Sequence, residues 1–447
     1  MGNSDVELTI SRTGKVLAWE AVITGGAGTG HAGEVYTTRG TLDNVTAETL
    51  QIALSHRALT AYTVYDIRSK GTLYTPEERV YDYTTDNGVI DGLLASRNLP
   101  DVRKLQDGTP VTTENADQWR QETIRLLQEN IFGTMPDYTG KKISYKVLKT
   151  EEVDYVLYSR EGVKGITSTV EITVDTDKGP WSFTVEQILP AGVEKCPVFV
   201  KLNFRPDIPD RYLPVAQLLK DGCGVVRIYY QDVTSDSATK DGIATMYNST
   251  DYTWGKIAMW SFAAMRVMDY LQEQSFVDLS RVAVIGHSRL GKTALLTAAL
   301  DTRFTRCIAN NSGCTGDALS RGKVGETIKM ITTNYPYWFC AKYKTYSGKE
   351  SSLPLDQHDL LALIAPRKLA TGVSSEDAHA DPTGQYLGVC AASPMWELYG
   401  KTGLVHPDSL PTIGDFYSEG NVEFHLKRGE HTISEYDWAC YISFLKK

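Results

Sequence analysis

No apolar run in the chain approaches the ~20 residues that a membrane-crossing helix needs, which argues against a helical membrane protein. The N-terminus, Met1-Gly-Asn-Ser-Asp-Val-Glu7, has no basic stretch followed by an apolar one, so the chain as given carries no secretion signal. A soluble protein is expected, cytoplasmic or secreted with its signal removed. Cysteine is sparse: Cys196, Cys223, Cys307, Cys314, Cys340, Cys390 and Cys440 are scattered, odd in number and without a Cys-x-x-Cys pair. That excludes a disulfide scaffold and the usual zinc spacing, and leaves buried free thiols as the expectation. Positive charge is in deficit, with 46 Lys and Arg against 55 Asp and Glu and a net charge of −9. Without a Lys/Arg stripe there is no electrostatic footprint for nucleic acid, and an anionic polymer gains no long-range attraction. An acidic sugar would have to be held by local basic residues such as Arg289 and Lys292.

What remains is ordinary for a globular enzyme: 447 residues, 42% hydrophobic and 23% charged. The length favours two parts, taken as an N-terminal segment over 1–85 and a larger domain over 86–447. The first part has short alternating runs such as Val16–Ile23, interrupted by Gly25-Gly-Ala-Gly-Thr-Gly30. That glycine cluster lacks the Gly-Lys-Ser/Thr ending of a phosphate loop and reads as a turn. A helix is predicted over Thr46–Thr60, with Leu50, Leu54 and Ala58 at helical spacing. No function is assigned to this segment.

Turn-rich text from Asn87 to Glu114 leads into a helix predicted over Asn115–Glu129, which Gly133 and Pro136 terminate. Antiparallel strands are expected at Ile143–Leu148, Asp154–Ser159, Gly165–Val174 and Trp181–Leu189, all rich in Val, Ile, Thr and Tyr. Beyond Leu189 strands and helices alternate. Pro197–Leu202, Gly224–Tyr230 and Arg281–Gly286 read as strands, with helices at Val215–Lys220 and Lys256–Gln272 between them. Short, nearly all-apolar strands separated by amphipathic helices are the signature of a parallel sheet covered on both faces. Antiparallel strands feeding such a sheet read as an α/β-hydrolase fold, a three-layer α/β/α sandwich with a mostly parallel central sheet.

Within that reading, the strand Val282–Gly286 ends at His287-Ser288-Arg289, and Gly291–Leu300 continues as a helix. A serine on a tight strand-to-helix turn projects its hydroxyl from the carboxyl edge of the sheet. The helix N-terminus behind it offers amide donors for an oxyanion, as acyl transfer requires. The spacing is Gly286-x-Ser288-x-x-Gly291, one residue longer on its second side than the usual Gly-x-Ser-x-Gly. Ser288 is therefore the candidate nucleophile of a serine carboxylester hydrolase. In this fold an acid and then a histidine follow the serine in the chain. The strand Lys368–Ser375 ends in Glu376-Asp377, and the strand Glu423–Arg428 ends in Gly429-Glu430-His431. His431 is the expected base and Asp377 the expected acid, with Glu376 and Asp381 as alternatives and Asp381, before Pro382, read as a turn former. His287, His358, His406 and His425 are read as structural.

These residues resemble the glucuronoyl esterases of carbohydrate esterase family 15, above all the bacterial branch, from about Asn115 to the end of the chain. The resemblance rests on Asn203-Phe204, Gly286-His-Ser-Arg-Leu-Gly-Lys292, Asn311-Ser-Gly313, Gly325-Glu-Thr327, Tyr335-Pro-Tyr-Trp-Phe339, Leu353–His358, Ala362–Arg367, Ala380-Asp-Pro382 and Gly429-Glu-His431 with Asp437-Trp438, in this order. It implies hydrolysis of esters between glucuronic acid carboxyls of glucuronoxylan and lignin alcohols, by Ser, His and an acid, with no metal or other cofactor and no nucleic-acid or membrane partner. It also implies an oxyanion-stabilising role for Arg289 and sugar contacts for Lys292 and Glu326. Two positions depart from the pattern. Many members carry the triad glutamate where this chain has Asn311, which cannot ionise, so the acid would be Asp377. His379 stands where the bacterial proteins usually place a substrate-facing tryptophan. A carbohydrate acetyl esterase and a binding protein that kept the fold without activity are the competing readings.

Overall fold

The structure, a computed structural model, describes residues 5–13, 16–24, 35–42, 47–54, 63–71, 90–156, 162–207, 212–248 and 251–447. The chain divides into two compact units, Met1–Tyr83 and Thr84–Lys447. In the first unit, β1 (Asp5–Thr13), β2 (Val16–Thr24) and β3 (Val35–Leu42) form an antiparallel three-stranded sheet, with Asp5 opposite Thr24 and Leu17 opposite Leu42. The strands β4 (Ala47–Leu54) and β5 (Thr63–Gly71) form an antiparallel pair. This corrects the helix expected over Thr46–Thr60, whose residues 55–60 lie outside the described residues, as do residues 25–30. The physical reason is that a spacing of four, as between Leu50 and Leu54, is compatible with both periods. Ile52 between them completes an alternation of period two, and Ile52 pairs with Tyr65 across the ladder.

The second unit carries a ten-stranded sheet. Its antiparallel side is β6 (Ile143–Tyr155), β7 (Val163–Thr176) and β8 (Gly179–Pro190). The first of these merges two strands expected separately, and residues 157–159 of the second lie outside the described residues. The parallel side comprises β9 (Cys196–Asn203), β10 (Gly224–Tyr229), β11 (Val277–His287), β12 (Arg306–Asn310), β13 (Lys368–Ser374) and β15 (Val422–Lys427). The two-residue β14 (Phe416–Tyr417) closes the far edge antiparallel to β15. In space the order is β14-β15-β13-β12-β11-β9-β10-β8-β7-β6, so β11 lies near the middle.

Every residue of β9, β12 and β15 is buried, as expected of strands covered on both faces. Successive residues of β11 feed opposite cores: Val284 packs with the helices Lys256–Gln272 and Arg289–Leu300, whereas Ile285 packs with Val215–Lys220 and Glu435–Lys446. This is the three-layer α/β/α arrangement of an α/β-hydrolase. A helix at Ile90–Ser96 interrupts text that reads as turns, and the helix expected from Asn115 runs over Ala116–Leu127. All seven cysteines are buried and unbridged. Among the described residues no helix is long and apolar enough to cross a membrane.

Candidate active site

β11 delivers Ser288 to the carboxyl edge of the sheet, and the helix Arg289–Leu300 starts immediately after it. Ser288 has φ 58° and ψ −128°, a conformation that costs a non-glycine residue on the order of 1–3 kcal/mol. Its amide donates to the Asn310 carbonyl at 2.9 Å, and its carbonyl accepts from Gly291 at 2.8 Å, which fixes the turn from both sides. The flanking glycines are obligatory for steric reasons. A Cβ on Gly286 would lie 1.9 Å from the Leu290 carbonyl oxygen, and one on Gly291 would lie 2.9 Å from the Ser312 Cβ. The second glycine of the motif thus acts one position later than usual, against the neighbouring strand end.

Asp377 and His431, the expected acid and base, lie just beyond the ends of β13 and β15, which are adjacent parallel strands. Beyond the strands their loops stay joined: Ser375 donates to the Lys427 carbonyl and Glu376 to the Gly429 carbonyl, each at 2.8 Å. The Asp377 carboxylate meets His431 Nδ1 at 2.5 Å, with the Asp377 side chain 4% exposed and that of His431 42% exposed. A proton on Nδ1, donated to Asp377, leaves Nε2 as the basic nitrogen. The His431 ring lies 4.6 Å from that of His287, the residue preceding Ser288. His287 is fully buried, and burial first, then the nearby His431, hold its imidazole well below the usual histidine range. It is neutral and bonded to Asn310 Oδ1 through Nδ1 at 2.7 Å, so it is a packing residue.

Asn311 closes the same region. Its Nδ2 donates to the Thr432 carbonyl at 3.0 Å and to Ser374 Oγ at 3.0 Å, while its Oδ1 accepts from the Ser374 amide at 2.8 Å. Lys427 Nζ donates to the same Thr432 carbonyl, also at 3.0 Å. Two buried donors therefore hold the carbonyl of the residue directly after His431. Behind them Asp437 accepts from Asn310 Nδ2 at 3.1 Å and pairs with His425 at 2.8 Å and Lys427 at 3.4 Å. The carboxyl of Asp437 lies below the usual range despite the opposing effect of burial, with Lys427 the largest of the favourable influences.

Glu376 is exposed, and its amide rather than its carboxylate joins the loop pair. Asp381 caps the helix Pro382–Ala392 through the Gly384 amide at 2.9 Å, accepts from the Val324 amide at 3.0 Å and pairs with Lys323 at 3.4 Å, a structural role. His358 Nε2 donates to the carbonyl of Pro100 at 2.9 Å, a residue far along the chain from Asp377 and His431.

The remaining predicted residues form a second cluster. Lys292 is 4% exposed, and its Nζ donates to the Ser312 carbonyl at 2.5 Å. Burial lowers the pKa of its ammonium group, and Glu326 is the largest influence opposing that shift. Glu326 is 8% exposed and faces His379 at 3.3 Å. The His379 side chain is 61% exposed, so of the three it is the one that solvent reaches most freely.

Sequence reasoning missed Asp236. Its carboxylate accepts from Arg289 Nη1, from the Tyr230 hydroxyl at 3.0 Å and from Trp338 Nε1 at 2.7 Å. No motif marks it. The available signal is its place in the loop beyond β10, at the carboxyl edge where sites of this fold collect. Among the described residues no group of three or more His, Cys, Asp or Glu is placed to hold a metal ion.

A strained serine between strand and helix, and a histidine on a buried aspartate beside it, are the constellation of serine-dependent acyl transfer on an α/β-hydrolase sheet. The protein is a carboxylic ester hydrolase. Comparison with known proteins names its family. The family described as "Glucuronyl esterase, fungi" matches residues 172–400, just over half of the chain. A carbohydrate esterase from an unknown prokaryotic organism is 32% identical over 427 residues, covering 83% of this chain and 94% of that protein. The 4-O-methyl-glucuronoyl methylesterase 1 of Wolfiporia cocos is 25% identical over 337 residues, covering 72% and 75%. Among solved structures, a promiscuous esterase of carbohydrate esterase family 15 from a marine bacterial metagenome superposes with a TM-score of 0.69 at 31% identity, covering 78% of this chain and 96% of that one. The glucuronoyl esterase of Solibacter usitatus gives 0.68 at 31% identity, with 78% and 97% covered. The chain belongs to the glucuronoyl esterase family.

Proposed function

We propose that residues 86–447 hydrolyse esters formed by the carboxyl group of glucuronic acid, including its 4-O-methyl form on xylan, with an alcohol. The observation that carries this reading is the 2.5 Å contact between His431 Nδ1 and the buried Asp377, on the loop pair beside the strained Ser288 turn. In the first half-reaction His431 Nε2 takes the proton from Ser288 Oγ as that oxygen bonds to the ester carbon. The charge that develops on the carbonyl oxygen is met by the Arg289 guanidinium and by the positive end of the helix Arg289–Leu300. Collapse of the tetrahedral intermediate breaks the bond to the alcohol oxygen, which leaves with the proton held by His431. Water then repeats the sequence on the acyl-serine and releases the free uronate.

Lys292, Glu326 and His379 form the sugar side of this reading. Glu326 is held beside His379, its amide donating to the His379 carbonyl at 2.8 Å, and the exposed His379 presents a polar ring to the sugar where an aromatic face would otherwise stack. That exchange favours a broad ester preference, and a related structure is described as that of a promiscuous esterase. Acetyl-ester hydrolysis is therefore a second activity to measure. The deciding assay sets methyl glucuronate beside acetylated xylan. Cleavage of the first, lost in Ser288→Ala together with labelling by a fluorophosphonate probe, is the expected outcome. Activity on acetyl esters alone refutes the uronate reading, and absence of probe labelling in the wild type refutes the esterase mechanism.

A further inference from the structure

Arginine side chains carry about 2 kcal/mol of rotamer freedom, so a guanidinium that must meet an oxyanion in one orientation needs something to hold it. Arg289 is held by groups from three separate loops. Its guanidinium carbon lies 4.8 Å from the ring centre of Trp338 and 5.6 Å from those of Tyr335 and Phe204. Tyr335 and Trp338 are themselves stacked, with centroids 3.9 Å apart. These contacts are with ring faces, which attract a cation but leave its in-plane rotation free. Among the described residues the one directional contact of the guanidinium is the ion pair from Nη1 to Asp236. Arg289 Nε is buried and has no hydrogen-bond partner among the described residues.

Asp236 is itself fixed. Its side chain is 8% exposed. Oδ2 accepts from Tyr230 and Arg289, Oδ1 accepts from Trp338 Nε1 at 2.7 Å, and its backbone carbonyl accepts from the Tyr337 hydroxyl at 3.1 Å. Trp338 thus touches both members of the pair, with its ring on the guanidinium and its N–H on the carboxylate. Such an arrangement aims the guanidinium before any substrate arrives, so no reorganisation is left for the moment of reaction.

We infer that Asp236 is a positioning residue for ester hydrolysis, orienting the Arg289 guanidinium toward the oxyanion. The inference rests on the oxyanion role given to Arg289 above, so its test is a double-mutant cycle that separates the two. kcat and KM are measured for wild type, Asp236→Asn, Arg289→Ala and the double variant. Methyl glucuronate and para-nitrophenyl acetate are both used as substrates, because either ester passes through a tetrahedral oxyanion. Arg289→Ala is expected to lower kcat on the order of a hundredfold. Asp236→Asn is expected to lower kcat about tenfold, with KM changed less than about threefold, and to change kcat less than about twofold once Arg289 is absent. Equal fold losses in both backgrounds overturn the inference and leave Arg289 in its role. A wild-type kcat in Arg289→Ala overturns the role of Arg289 and the inference with it. If Asp236→Asn does not fold, Trp338→Phe replaces it in the same cycle, since it removes one bond that aims the carboxylate and keeps the ion pair. A loss of about threefold that vanishes in the Arg289→Ala background is then expected, and a loss that persists there refutes the inference.

Discussion

On one side of Ser288 the pair proposed to handle the proton is held by the sheet: Asp377 and His431 follow two adjacent parallel strands, and backbone hydrogen bonds continue the pairing into their loops. On the other side Arg289 is held by side chains alone, from loops that contain Phe204, Asp236 and Trp338. The first design resists displacement because moving His431 means breaking a ladder and a buried polar network. The second depends on one ion pair and three ring faces. The difference teaches where damage should be steep and where it should be graded. Losing a group on the sheet side removes a chemical function, whereas losing a support on the loop side loosens one.

The most severe break is expected at the acid. Asp377→Asn keeps the shape but replaces the acceptor for His431 Nδ1 with a group that can present N–H instead, which favours the wrong tautomer and removes the charge that stabilises an imidazolium. kcat should fall on the order of a thousandfold or more with little change in KM. Glu376→Gln, whose carboxylate is exposed and has no part in the loop pairing, should stay within about twofold of wild type. Steady-state rates of the two variants check this directly, and a larger loss at Glu376 would reverse the assignment of the acid.

An intermediate effect is expected at Asn311. Alanine there removes two donors from the Thr432 and Ser374 oxygens and leaves the buried Ser374 amide without its acceptor. It also forces a residue without a polar side chain to hold φ 44°. Together these should cost about 3 kcal/mol of unfolding free energy, with kcat lowered about tenfold because the peptide beside His431 loses one of two tethers. Denaturant unfolding and kinetics check both. Asn311→Glu restores the residue found in many related enzymes but brings no N–H for the Thr432 carbonyl, so it should fall below wild type as well. Activity above wild type in that variant would mean that this position can take over as the acid.

The same contrast explains how much could be read in advance. The turn at Ser288 was legible because burial on both faces writes itself into sequence as a continuous apolar run, as in Val282–Gly286, whereas the strand before His431 carries Glu423, His425 and Lys427 and showed only as an alternation. Asp236 was not legible, since its partners lie 6, 53 and 102 residues away and no spacing announces them. Asn311 was read for what it cannot do, ionise, and its use as a double donor depends on contacts 63 and 121 residues distant. Lys292 lies on a helix that is buried almost throughout, so its charge, which in sequence suggests an open face, is instead spent on the Ser312 carbonyl. The strand Ala47–Leu54 was misread because its leucines fit both periodicities.

The smallest effect, and one confined to the sheet side, is expected from His287. Its imidazole is held well below the ordinary histidine range by burial and by His431. The unfolded chain therefore binds a proton near pH 6.5 that the folded protein refuses. With more protons bound in the unfolded state, stability rises with pH in this interval. The contribution of a neutral His287 is complete above about pH 6.5 and is lost progressively as pH falls toward its folded value. The thermal midpoint of the wild type should decline between about pH 7 and pH 5, and His287→Gln, which cannot titrate, should show a shallower decline from a lower starting point. On the loop side, Arg289→Ala should shift the midpoint without changing that slope. Melting curves of the three proteins across the pH series provide the test, and parallel slopes for wild type and His287→Gln would assign the pH dependence to another group.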